Sequence, residues 1–126
     1  LHWNERAEAR TVLAEIADRF EDGQTGYTLA IGEQAYYYLG RQAMRRGEYE
    51  NALPYFEKLA ELADDRSATT YYRSYGHLRH GMTLDALGRR EEAVRAYQRV
   101  LELDDKNEAH ERAERYLQEP YTGVRG

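Results

Sequence analysis

The chain has 126 residues, of which 33% are charged and 41% apolar, with a mean hydropathy of -0.94: polar, yet able to pack one domain's core. A net charge of -5 argues against nucleic acid as a partner, and no apolar run approaches a membrane span. Without cysteine there is no disulfide or thiolate-metal framework, and the compartment stays open with the cytoplasm slightly favoured.

A first helix is expected over 4–21, where Ala9, Val12, Leu13, Ile16, Ala17 and Phe20 recur at helical spacing opposite charged residues. Gly23 and Gly26 stop it, and Gly23-Gln24-Thr25-Gly26 reads as a helix–helix turn rather than a phosphate loop. Trp3 is expected to cover an exposed end. Leu1 stands where an initiator methionine would, which reads as a fragment or a mature product.

The second helix is expected over 27–46, with one stripe of Tyr36, Leu39, Gly40 and Ala43 and another of Gln34, Tyr37, Tyr38, Arg41, Met44 and Arg45. Gly40 in mid-helix costs about 1 kcal/mol relative to alanine, which implies a second helix crossing closely there. Gly47 supplies the left-handed cap. The third helix, 50–64, carries Ala52, Leu53, Phe56, Leu59, Ala60 and Leu62, with Pro54 placed near its first turn. Asp64-Asp65-Arg66-Ser67 reads as a turn with Ser67 as the next N-cap.

The fourth helix, 68–87, puts Tyr71, Tyr75, Leu78 and Met82 on one face and His77, Gly81 and Leu84 on another. Gly88 ends it. The fifth, 91–103, faces Ala93, Val94, Tyr97, Val100 and Leu101 inward. A last helix, 108–117, stops before Pro120 and is charged outside Ala109, Ala113, Tyr116 and Leu117, as a solvent-facing cap should be.

The organising pattern is a repeat. Gly40, Gly47, Ala52 and Phe56 return as Gly81, Gly88, Ala93 and Tyr97, each 41 residues on. Ala9, Ile16 and Ala17 share the mutual spacing of Ala52, Leu59 and Ala60, so the first helix reads as half of a preceding unit. The expected division of this single domain is a partial repeat at 1–26, repeats at 27–66 and 67–106, and a capping helix with tail at 107–126.

These residues resemble the tetratricopeptide repeat family of helix-turn-helix solenoids. A small residue in the first helix, a glycine at the turn, an alanine early in the second helix and an aromatic four later match in order, twice. Glu61-Leu62 and Glu102-Leu103-Asp104 resemble the family's usual end to the second helix. The family period is usually 34, and seven more residues are about two helical turns, which lengthen a first helix without rotating its faces. The resemblance implies an all-α, right-handed α-α superhelix whose first helices line a concave surface.

On that surface the resemblance places Tyr37, Tyr38, Arg41 and Arg45 from one helix and Tyr71, Tyr75, Leu78, Arg79 and Met82 from the other. Aromatics with arginine are the residue types enriched at interaction hot spots. The implied function is a non-catalytic protein-interaction module holding a protein or peptide segment, with acidic or carboxylate groups near the arginines. Family members that clamp a C-terminal carboxylate use lysine and asparagine where Tyr37, Arg41 and Arg79 stand here. The alternatives are that the tyrosines pack between helices, or that the segment is architectural and pairs with a second copy through Leu1, Trp3 and Val12 at an exposed end.

Nothing in the sequence points to catalysis, a cofactor or a metal. His77 and His80 are three apart on one helix, a spacing at which two imidazoles share a metal, but Asp85 is a poor third ligand. The acidic pairs Asp64-Asp65, Glu91-Glu92 and Asp104-Asp105 sit at helix ends and turns, where solvated charge is the ordinary reading.

Overall fold

Glycines in the left-handed region decide where this chain reverses. Gly23, Gly47 and Gly88 have φ of 73°, 74° and 79°. At each, the following residue's N–H reaches back five positions: Gln24 to Arg19 O at 3.1 Å, Glu48 to Ala43 O at 2.9 Å, and Arg89 to Leu84 O at 2.8 Å. The glycine's own N–H bonds three positions back, to Phe20, Met44 and Asp85. This paired cap satisfies carbonyls that a helix end would leave open, and it requires the left-handed residue. Its appearance at Gly23 carries the device of the two full repeats into the leading helix.

The computed structural model describes the backbone of residues 2–64 and 71–123 and the side chains of 8–62 and 71–123. Its described helices are α1 (His2–Glu21), α2 (Leu29–Arg45), α3 (Tyr49–Asp64), α4 (Tyr71–Ala86), α5 (Arg90–Glu102) and α6 (Ala109–Gln118). Each packs on the next, and α2, α4 and α6 also touch one another in series. Among the described residues the backbones of α1, α3 and α5 stay apart, although Glu21 of α1 reaches Lys58 of α3 at 2.9 Å, and clefts open between α1 and α3 and between α3 and α5. One row of helices is closed and the other splayed, so the stack bends towards the α2–α4–α6 side.

Close approach within each pair depends on the mid-helix glycines. A Cβ on Gly40 would stand 2.6 Å from Phe56 Cζ, and one on Gly81 2.5 Å from Tyr97 Cε1. The same device joins successive pairs, because Gly32 receives the Phe20 ring and Gly76 receives Leu59. The core follows from these contacts: Leu39, Ala43, Ala52, Phe56, Leu59, Leu84, Ala93, Tyr97 and Val100 are buried. At the end of α1, Glu21 accepts from Tyr36 Oη at 2.5 Å and Lys58 Nζ at 2.9 Å, which hold its carboxyl below the usual range.

Three expectations change. Ala9 and Val12 are exposed, Val12 to 55%, because the α1 backbone lies close to α2 alone and its side-chain link to α3 comes at its last residue, Glu21. Pro54 is in the second turn of α3, which begins at Tyr49, so it removes the hydrogen bond that Glu50 O would otherwise accept. Of the tail, residues 119–123 fold back across the repeat rather than trailing from α6. The cover expected from Trp3 and the Ser67 cap lie outside the described side chains.

Candidate functional site

The inner surface of α2 and α4 is built around tyrosine. Tyr37 stands at its centre, fully buried, with Tyr38, Phe56, Tyr71 and Tyr72 around it at ring distances of 5.2, 6.5, 5.8 and 5.4 Å. Tyr71 stacks on Tyr75 at 4.7 Å, and Tyr38 meets Tyr72 edge-on at 5.9 Å. Edge-to-face and offset geometries are those that aromatic quadrupoles favour. Burial and the Tyr37 hydroxyl push the Tyr71 hydroxyl up to about 12, which keeps it protonated and able to donate. Tyr72, raised chiefly by burial, accepts from Gln34 Nε2 at 3.2 Å.

Around this cluster the arginines divide by role. Arg79 Nε donates to Tyr37 Oη at 2.9 Å, and its guanidinium lies 5.8 Å from the centre of that ring. Arg41 lies over the Tyr38 ring at 5.9 Å, and its Nε is buried with no acceptor among the described residues. Arg73 is turned inward: it pairs with Glu33 at 3.2 Å, with side-chain exposures of 3% and 4%. That buried pair ties α4 to α2 directly beneath the aromatic surface. A buried charge needs such a partner, and each member is costly without the other.

The expected lining is therefore corrected in part. Tyr38, Arg41, Arg45, Tyr71 and Arg79 reach the surface, whereas Tyr37, Tyr75, Leu78 and Met82 are 0 to 5% exposed. The reason is that α4 touches α2, α3, α5 and α6, so a stripe that looks outward by spacing is covered by neighbours. Tyr75, for instance, donates its hydroxyl to Asn107 O, and Arg112 of α6 covers its ring at 5.5 Å. Tyr72 belongs to the surface too, and its signal in the sequence is a second tyrosine doublet, Tyr71-Tyr72, two turns upstream of the place that Tyr37-Tyr38 hold in the preceding repeat.

On the outer side, a shallow cleft of about 380 Å³ between α3 and α5 is lined by His77, His80, Arg89, Glu92, Arg95 and Arg99, among others. Burial, then the nearby Arg89 charge, lowers His80 to about 4, so it is neutral at pH 7. Among the described residues no group of three metal-ligating side chains converges there or elsewhere.

Two family models, both described as tetratricopeptide repeat, match residues 33–66 and 75–107. No curated protein and no solved structure matches the chain. Each matched stretch begins four residues inside its helix, since α2 starts at Leu29 and α4 at Tyr71. The added turns carry Gly32, Tyr71, Tyr72 and Arg73, so much of the inner aromatic surface lies in turns outside the matched stretches.

Proposed function

This chain belongs to the tetratricopeptide repeat family, whose repeats mediate protein–protein interaction as non-catalytic modules, and on that premise we propose that its inner α2–α4 surface binds a segment of a partner protein. The contacts are Tyr38, Tyr71 and Tyr72 as aromatic wall, with Arg41, Arg45 and Arg79 beside them. The partner segment carries an acidic side chain for Arg41. One observation supports this above the others: Arg41 Nε is buried beside half-exposed tyrosines without an acceptor, and a buried unmet donor is costly unless a ligand meets it. A carboxylate meets it best, because a guanidinium–carboxylate bond is charge-assisted and geometrically matched.

Selection of randomised dodecapeptides displayed on phage against the full chain tests the reading. Peptides rich in Asp or Glu flanked by apolar residues are expected, and Tyr38→Ala combined with Arg41→Glu should lower their affinity at least tenfold with helicity unchanged. Peptides that bind the double variant as tightly as the parent would show that the surface is elsewhere. A dimer in sedimentation that buries α2 and α4 would show instead that the surface serves self-association.

A further inference from the structure

Beyond α6 the chain changes character. Pro120 cannot continue a helix, and Glu119 before it is extended at φ -138°, ψ 109°. The strap that follows crosses the ends of α4 and α3. Tyr121 N donates to Asp85 Oδ2 at 3.1 Å. The Tyr121 ring meets Tyr116 and Tyr49 edge-on at 5.6 and 6.4 Å, and its hydroxyl lies 3.3 Å from that of Tyr49. Gly123 then passes over Tyr49 with φ 99°, where a Cβ would stand 3.3 Å from the Tyr49 hydroxyl. An L side chain there would meet both the wrong backbone region and a crowded contact.

The receiving site is not a product of the repeat. The place of Asp85 is held by Met44 in the preceding repeat, and that of Tyr97 by Phe56. The Asp85 side chain is 2% exposed and accepts from Arg90 at 2.9 and 3.2 Å and from Tyr97 Oη at 2.7 Å. Arg90 continues to Leu117 O at 2.8 Å, anchoring the end of α6 where the strap begins. A buried carboxylate needs its lone pairs met, and the strap's backbone N–H supplies a further donor. One backbone amide, one ring in an aromatic notch and one glycine over a tyrosine are the elements by which short extended peptides are read.

We propose that Tyr49, Asp85 and Tyr116 form a second peptide-binding site, specific for an extended segment of the type proline–tyrosine–any–glycine, and that residues 120–123 are its resident ligand. The site takes a backbone amide at Asp85 and a tyrosine ring between Tyr49 and Tyr116. It stands independently of the α2–α4 surface. A ligand tethered in cis acts at millimolar effective concentration, so the resident segment masks the site even when its own affinity is modest.

The test titrates the isotope-labelled full chain with a synthetic peptide of residues 118–124 and follows amide shifts. The parent should show no saturable shift, because its site is filled. Tyr121→Ala and Gly123→Val, which empty the site by two different routes, should each bind the peptide saturably at millimolar concentration or below. A peptide with alanine for its tyrosine should bind at least tenfold more weakly, and Tyr49→Ala in the receptor should do the same. Equal binding to parent and variants, or no binding to either variant at millimolar peptide, would overturn the proposal.

Discussion

Gly40→Ala puts the central packing idea at risk. The added methyl carbon would lie 2.6 Å from Phe56 Cζ and 2.8 Å from Cε1 and Cε2. Carbon atoms pack at about 3.5–4.0 Å, so ring and helix must part by about 1 Å. Phe56 is fully buried with Tyr37 against it and has no room to turn away. Overpacking of this kind costs about 1–3 kcal/mol, and the rigid ring places Gly40 in the upper part of that range. Alanine returns about 1 kcal/mol through helix propensity. The expected net loss is about 1–2 kcal/mol, or about 4–8 °C in Tm for a domain of this size. Urea unfolding followed by circular dichroism measures it. Phe56→Leu in the same chain should recover part of the loss as a coupling of about 1 kcal/mol, since the smaller side chain makes room. A Gly40→Ala chain as stable as the parent, or strictly additive with Phe56→Leu, would refute close helix crossing as the reason for this glycine.

Other expectations follow from the same contacts. Arg73→Met should cost about 3–5 kcal/mol by leaving Glu33 buried and unpaired, whereas Glu33→Leu with Arg73→Met should return close to the parent; urea midpoints of the single and double variants compare them. Tyr97→Phe removes a donor from Asp85 and should cost about 1.5–3 kcal/mol, and Phe56→Tyr should also destabilise because Met44 offers no comparable acceptor; both are read as shifts in urea midpoint. The unfolded chain protonates His80 near its ordinary 6.5, while the fold keeps it neutral to about 4, so the unfolded state holds more protons between those values. Stability should therefore fall as pH drops from 7 towards 4, and His80→Leu, which copies Leu39 of the first repeat, should flatten that slope in urea midpoints at pH 7 and 5.

Local features were the legible ones. Helix positions, the caps at Gly47 and Gly88, and the need for small residues at Gly40 and Gly81 depend on spacing of a few residues or on the 41-residue period, both written in the chain. Which tyrosines would line a surface was not legible. Tyr71 and Tyr75 share a stripe and stack on each other, yet one reaches solvent and the other is sealed by α6. Helical periodicity reports the direction of a side chain from its own axis and says nothing of how many neighbours stand there.

What the sequence by itself determined is the scaffold: helix pairs turned by left-handed glycines and drawn together wherever a ring meets a glycine. These are properties of backbone conformation and side-chain volume, so they follow from residue type and order. Only the tertiary structure decided that Tyr37 is a core residue, that Glu33 and Arg73 form a buried pair, and that Tyr121 returns to Tyr49 from 72 positions away. Each of those depends on bringing together side chains whose separation along the chain carries no periodic signal, and burial is a property of the assembled neighbours.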